Sequence, residues 1–518
     1  MTRVTRVLGW GLLALVLLSL SGWLLADYLT PAATGAPSHA LPVQAAQTEL
    51  DRELVPLLAE HPGRTGAILV PDGLDAFAAR AISARRAGRS LDLQYYIWHD
   101  DITGRLLGYE AWQAAARGVR VRMLLDDMNA EGLDPGLLAL DAHPNIEIRL
   151  YNPFRNRGGV ARVLELVQRV VSVNHRMHNK AWIADGRMAV VGGRNIGEEY
   201  FEAGKDTNFR DLDLVLFGPA VAQASGVFDA YWNSDAAVPI AALNRKSPEA
   251  LKALLDGVVV EARSAAARHY LQRVEASQQV RAYSAKQLKP HWSEGISVVA
   301  DPPLKWKDDD RNGWMLERLA TMLRGTQKKA LLISPYFVPG EFGTRGLGEL
   351  TQRGAQVGVI TNSLAANDVP AVHSAYAGYR EQLLQVGVQL YEIRAQGRPE
   401  TAGTFGSSGA SLHTKAFVVD DARGFIGSFN LDPRSADLNT EMGVLFDDPA
   451  IAASLRAEYL RLAGPELSYW VYQRPDGGLR WLDRATAPPM PIEHEPDTTG
   501  MQRATARVIG WLPIESQL

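Results

Sequence analysis

Apolar residues recur along this chain in two alternating rhythms. Residues 90–98 form a short apolar run of strand type, 104–117 place apolar positions at helical spacing, and 119–125 return to a strand. The same order reappears as 330–337, 347–353 and 357–361. Strand–helix–strand alternation predicts an α/β class with a largely buried central sheet. Sequence landmarks repeat with it. Arg117-Gly-Val-Arg-Val121 matches Arg353-Gly-Ala-Gln-Val357, and Met177-His-Asn-Lys-Ala-Trp-Ile-Ala-Asp185 matches Leu412-His-Thr-Lys-Ala-Phe-Val-Val-Asp420. Two similar halves are therefore expected rather than three unrelated domains. The predicted organisation is a transmembrane anchor over 1–28, a tether over 29–60, a first domain over 61–240, a helical connection over 241–290, a second domain over 291–473 and an irregular tail over 474–518.

The anchor rests on an apolar, uncharged run over 7–26, ended by Asp27. Twenty residues at about 1.5 Å each match a hydrocarbon core of roughly 30 Å. A cleaved signal peptide normally has a shorter apolar region, with small residues before the cut, and Leu24 stands where one is required. Arg3 and Arg6 precede the run, which keeps the N-terminus in the cytoplasm and sends the remainder across the membrane.

Composition narrows the chemistry. At 46 % hydrophobic and 22 % charged, the 518 residues are those of a folded protein, neither disordered nor polytopic. A net charge of −4 offers no overall basic field, so a nucleic acid would need a local patch. The absence of cysteine removes disulfides, thiolate metal sites, a thiol nucleophile and any lipid attached to cysteine.

What remains is a doubled polar motif. His178, Lys180 and Asp185 recur as His413, Lys415 and Asp420, each followed at equal distance by Gly-(Gly/Ser)-x-Asn, ending at Asn195 and Asn430. Residues i and i+2 of a strand share a face, so each His–Lys pair points to one spot. A two-residue turn at Asp185-Gly186 sets Gly193 opposite His178, and the same register sets Ser428 opposite His413, leaving room for a substrate phosphate. Ser428 and the amides of Asn195 and Asn430 are candidate phosphate donors. This combination suits attack on a phosphodiester: a neutral imidazole as nucleophile, lysines for the non-bridging oxygens, and a second imidazole to move the leaving-group proton. Each half holds one such histidine, so a complete site needs both halves face to face. Lysines provide the positive charge, so neither metal nor cofactor is expected. Asp185 and Asp420 join the candidate catalytic set, with turn stabilisation as their other available role. Glu441 aligns with Asp211 at the start of the strand after each asparagine. This pair is expected to orient the imidazoles, with Asp213 as the alternative to Asp211.

These motifs resemble the two HxKxxxxD signatures of the phospholipase D superfamily. Leu91-Asp-Leu-Gln-Tyr-Tyr-Ile-Trp98, Asn152-Pro-Phe154, Gly192-Gly-Arg-Asn-Ile196 and Asp432-Pro-Arg-Ser435 are similar, more closely, to bacterial cardiolipin synthases of the C-type branch. The resemblance implies two phospholipase D-like α/β halves sharing one active site and a phosphohistidine intermediate, with His178 as nucleophile and His413 as general acid/base. It also implies phospholipid substrates, with phosphatidylglycerol or phosphatidylethanolamine as phosphatidyl donor and phosphatidylglycerol as acceptor. The implied location is the bacterial inner membrane, with the catalytic unit on the periplasmic side. Water as acceptor (a phospholipase D) or a nucleic-acid substrate (a nuclease) is the competing reading; the net charge disfavours nucleic acid. Tyr95, Tyr96 and Trp98 are candidates for a lipid entrance or for core packing. His373 is a candidate head-group contact, and Arg194 a phosphate contact or a surface residue.

Overall fold

A computed structural model describes residues 10–518 apart from 12–13, 20, 23–34, 131, 170–171, 206, 245–247, 286, 288, 308–309 and 396–411. Half of the apolar run at 7–26 falls outside the described residues, among which no helix is long and apolar enough to cross a membrane.

Nine strands make the first sheet: β1 Thr65–Val70, β2 Ser90–Tyr95, β3 Arg120–Asp126, β4 Ile146–Tyr151, β5 Ala181–Ala184, β6 Met188–Gly192, β7 Asp213–Phe217, β8 Ala237–Pro239 and β9 His291–Ser293. Their order is β8-β4-β3-β2-β5-β6-β7-β1-β9. The second sheet uses β10 Ile296–Ala300, β11 Lys329–Ile333, β12 Gln356–Asn362, β13 Gln389–Ile393, β14 Lys415–Val419, β15 Arg423–Gly427, β16 Met442–Asp447, β17 Ser468–Gln473, β18 Leu479–Asp483 and β19 Met490–Ile492. Its order, β10-β16-β15-β14-β11-β12-β13-β17-β18-β19, repeats the first sheet strand for strand from β1 to β8. In both, three parallel strands (β2-β3-β4, β11-β12-β13) join an antiparallel block at the strand that follows His-x-Lys.

The strands read as apolar runs because both faces are covered. Every residue of β2, β5, β7 and β14 is buried. Helices Gly73–Arg86 and Ile102–Ala116 cover the outer face of the first sheet. One apolar cluster belongs to neither half alone: Ala189, Val191 and Leu214 pack in it with Ile426, Met442 and Val444. Each Val, Leu, Ile or Met side chain so withdrawn from water contributes about 1.5–3 kcal/mol, which is what presses the two sheets together.

Two segments are more ordered than their composition suggested. The expected tether contains the helix Glu49–Glu60, and Ser38 and Ala40 donate to Asn233 and Asp229 of the first half. In the expected irregular tail, β18 and β19 extend the second sheet and a helix, Gly500–Ile509, follows. The prolines and glycines there fall mostly between these elements. The 241–290 segment is helical, and Ala267, Tyr270 and Val274 pack into the first half's core.

Candidate active site

Both turns after His-x-Lys are one residue longer than predicted. Ala184 pairs with Met188 and Val419 with Arg423, so the loops are 185–187 and 420–422. A one-residue slip changes which side chains oppose. Continuing the two registers, Gly193 falls opposite Asn179 and Ser428 opposite Thr414, not opposite the histidines.

The cause lies in the aspartates. Asp185 and Asp420 sit at φ 54° and 53°, where a short polar side chain can bond the backbone locally. The Asp185 carboxylate accepts from the backbone N–H of Gly88, Arg89 (2.7 Å) and Ser90 (3.0 Å). Asp420 does the same for Gln327, Lys328 (2.7 Å) and Lys329 (2.9 Å). Each staples its turn to the start of the neighbouring strand. Seven residues of mostly extended chain put these carboxylates roughly 20 Å from the histidines. They hold structure and do not belong with the catalytic groups.

At the other ends of β5 and β14 the halves meet. The His178 N–H donates to Thr440 O at 2.9 Å, and the Thr440 N–H to Arg176 O at 2.8 Å. Reciprocally, the His413 N–H donates to Arg210 O at 2.8 Å. These backbone bridges carry each histidine to the carboxylate of the opposite half. His178 Nδ1 lies 2.9 Å from Glu441 Oε2, and His413 Nδ1 lies 2.6 Å from Asp211 Oδ2. Asp213, the alternative to Asp211, pairs instead with Arg80 at 3.0 Å inside the first half.

With Nδ1–H donating to a carboxylate, each imidazole leaves Nε2 as the bare nitrogen. Burial and the two nearby lysine ammoniums push both histidines well below their ordinary value. Lys180 Nζ donates to His178 O and Lys415 Nζ to His413 O, both at 2.6 Å, so each ammonium curls back over its own histidine. Burial lowers Lys180 to about 7 and Lys415 to about 8, against the pull of Glu441 and Asp211. The same burial raises Glu441 to about 7 and lifts Asp211. Such a cluster of displaced values marks a polar site built for a charged ligand.

The small residues of Gly-(Gly/Ser)-x-Asn serve the carboxylates. The Ser428 hydroxyl donates to Glu441, and its oxygen accepts the Met442 N–H at 2.9 Å. Gly193 lies against Asp211 so closely that a Cβ would collide with the carboxylate. Ser428 thus positions Glu441 rather than meeting a phosphate. Asn195 is fully buried: it accepts the Ile97 N–H at 3.1 Å and donates to Tyr200 OH at 3.0 Å. Its reach is indirect, because Tyr200 stands edge-on to His413 at 5.1 Å. Asn430 is also buried, and its Oδ1 has no partner among the described residues.

Of the three aromatic candidates only Tyr96 reaches the site, edge-on to His178 at 5.0 Å and under Lys180 at 5.4 Å. Tyr95 bonds Arg80 and Trp98 bonds Gly104 O, both in the core. Arg194 is fully buried and donates to the carbonyls of Val70, Pro71 and Asp211. That excludes both a surface position and a phosphate contact. His373 meets Arg380 at 2.6 Å within a buried ionic cluster completed by Glu392 and Glu495 of the tail, so it contacts no head group.

Residues that sequence reasoning passed over complete the rim. Asp126, at the end of β3, accepts the Met177 N–H at 2.8 Å and fixes the approach to His178. Tyr336 donates to Asp368 at 2.8 Å, and burial lifts Asp432 to about 6. Arg434 of the Asp432-Pro-Arg-Ser435 motif lies near enough to His178 to depress it. Among the described residues, one set of clustered donors could hold a metal ion, His99, Asp101 and Glu199. Asp101 in that set already caps the Gly104 N–H at 2.9 Å.

A family model described as "Cardiolipin synthase, PLD-like domain" matches residues 82–232 and 319–463, once in each half. Cardiolipin synthase C of Escherichia coli strain K12 is 38 % identical over 470 residues, covering 89 % of this chain and 98 % of its own. A cardiolipin synthase of Staphylococcus aureus is 26 % identical over 397 residues, or 75 % of this chain and 65 % of its own. The crystal structure of phosphatidylserine synthase from Haemophilus influenzae Rd KW20 shares the fold. It superposes with a TM-score of 0.56 at 14 % identity, covering 90 % of this chain and 99 % of the other.

Proposed function

This chain belongs to the cardiolipin synthase family of PLD-like proteins, and on that premise we propose that it moves a phosphatidyl group between lipids through a phosphohistidine on His178. It is a phosphatidyltransferase of the cardiolipin synthase type, acting on phospholipids. The donor is phosphatidylglycerol or phosphatidylethanolamine, and the acceptor is the hydroxyl of phosphatidylglycerol.

In the first step His178 Nε2 forms a bond to phosphorus. The P–O bond to the head group breaks, and His413 gives its proton to the departing alkoxide. Lys180 and Lys415 neutralise the non-bridging oxygens as charge concentrates there. The bound phosphodiester anion offsets the two ammoniums and so returns His413 to a protonated state. In the second step His413 takes the proton of the acceptor hydroxyl, the new O–P bond forms and the N–P bond breaks. Glu441 stabilises the positive charge on His178, and Asp211 that on His413. The observation that carries this reading is the crossed pairing of each histidine with the other half's carboxylate around two buried lysines.

The arginines ahead of the N-terminal apolar run support a single anchor in the bacterial inner membrane, with the catalytic unit on the periplasmic side. The test of the whole reading is lipid analysis after the membrane-reconstituted chain is incubated with labelled phosphatidylglycerol. Cardiolipin plus glycerol is expected. Phosphatidic acid without cardiolipin would assign a hydrolase, and DNA cleavage without lipid turnover a nuclease.

A further inference from the structure

The rim of the site carries apolar side chains that the fold leaves in solvent. On the first half, the amphipathic helix Gly159–Gln168 exposes Val160 (75 %) and Val163 (60 %). On the second, the helix Gly340–Gln352 exposes Phe342 (75 %), and the end of the chain exposes Val508 (55 %), Trp511 (75 %) and Leu512 (54 %). Large apolar groups on separate helices that meet at the chain end mark an interaction surface more than scattered exposure does.

Hydrogen bonds fix this group to the mouth of the site. Tyr379 donates to Glu515 at 2.6 Å, and Glu515 also borders Gly340, at the head of the Phe342 helix. Asn174, which follows the Val160 helix, donates to Gln517 at 2.7 Å. The Arg434 guanidinium donates to Gln517 O at 3.0 Å and to Asn174 Oδ1 at 2.7 Å, and its N–H to Leu518 O at 2.6 Å. The chain end thus bridges both halves across the rim beside His178. On the first-half side, Arg157 ties the entry of the Val160 helix to Asp127 at 2.6 Å, two residues before Asn129, which lies beside Tyr96.

We propose that these helices and the chain end form a docking surface for an anionic phospholipid bilayer, separate from the N-terminal anchor. The inference rests on the phosphatidyltransferase reading for its choice of occupant. Charge complementarity supports that choice at the tail helix, where Arg503 and Arg507 are the only charged side chains and exposed Arg507 adjoins Val508; on the Phe342 helix Arg345 stands between Glu341 and Glu349. A basic amphipathic helix with an interfacial tryptophan lies in the plane of the head groups, its apolar face about 5–10 Å deep. Docked so, the mouth opens at the level of the lipid phosphates. A phosphodiester then reaches His178 while its acyl chains stay in hydrocarbon.

The lack of cysteine makes single labels unambiguous. Trp511→Cys, Val163→Cys and, as control, Lys252→Cys would each carry an environment-sensitive fluorophore. The full chain would be reconstituted in vesicles of phosphatidylethanolamine and phosphatidylglycerol containing bromine-labelled acyl chains. Quenching at 511 and 163 but not at 252 is expected. No quenching at 511 and 163 would overturn the proposal, as would burial of the labels without quenching, the signature of a second copy covering this face. Trp511→Glu should lower turnover of vesicle lipid about tenfold and leave a soluble short-chain phosphatidylglycerol unaffected. Equal loss on both substrates would also overturn it. Failure of the unmodified chain to turn over either substrate would instead sink the transferase reading, with the quenching result still deciding the docking surface.

Discussion

Glu441 and His178 lie 263 residues apart in the chain and 2.9 Å apart in the fold, joined across the boundary between the halves. The carboxylate fixes the imidazole's tautomer and stabilises its charged form. Glu441→Gln should keep the fold and lower kcat by about 100-fold. A kcat within threefold of the parent enzyme would remove Glu441 from the mechanism.

The two histidines should separate when the leaving group no longer needs a proton. With a p-nitrophenyl phosphodiester, His413→Ala should still release a burst of about one nitrophenol per site, because phosphorylation of His178 is intact. His178→Ala should release none. The reverse pattern, read by stopped-flow absorbance, would exchange the two roles.

The pH dependence follows from the displaced values. Glu441, raised to about 7, gains a proton below that pH and stops accepting from His178. Lys180 and Lys415, lowered to about 7 and about 8, lose theirs above. A bell-shaped kcat/KM peaking between about pH 7 and 8 is expected, its limbs belonging to the coupled cluster. Bound phosphodiester holds the lysines charged, so the alkaline limb of kcat should lie higher. A profile flat from about pH 6 to 9 would contradict this assignment.

Ser428 donates to Glu441 and so favours its ionised form. Ser428→Ala should raise the acid limb of the kcat/KM profile by about half a unit to one unit with a modest loss at the optimum. Gly193→Ala should do more damage, because its Cβ displaces the Asp211 carboxylate from His413. Measuring both profiles side by side checks that the equivalent positions serve their carboxylates unequally.

Asp185 should matter to stability and not to chemistry. Asp185→Ala strands the N–H groups of Gly88, Arg89 and Ser90, at a cost of about 2 kcal/mol. The thermal denaturation midpoint should fall while kcat below the transition stays within about twofold of the parent. A kcat loss as large as that of His178→Ala would return Asp185 to the active site.

The α/β class, the duplication and the His–Lys pairs were legible because their signals are local: alternating periodicity and an i, i+2 spacing. Asp211 and Glu441 were legible by aligning the halves. Which histidine each serves was not, since that depends on how two sheets dock. The register was missed because the carboxylates of Asp185 and Asp420 bond a distant strand's amides and draw a third residue into each turn. For Arg194 the motif leaves a phosphate contact and a surface position equally open; the carbonyls of Val70 and Pro71 that consume its donors are far away in sequence. The ordered tail was hidden in the same way, because Glu495 completes an ionic cluster begun by Arg380 and Glu392.

The backbone bridges from His178 to Thr440 and from His413 to Arg210 also bear on kinetic order. Parting the halves like a clamshell would strip both imidazoles of their carboxylates at once, so the site cannot open by hinging and still be ready to react. On the transferase reading, donor and acceptor then react in turn at this one closed pair of histidines. The first leaving group departs from the phosphohistidine before the second alcohol takes its place, so an architecture that cannot gape and still react suits a ping-pong sequence.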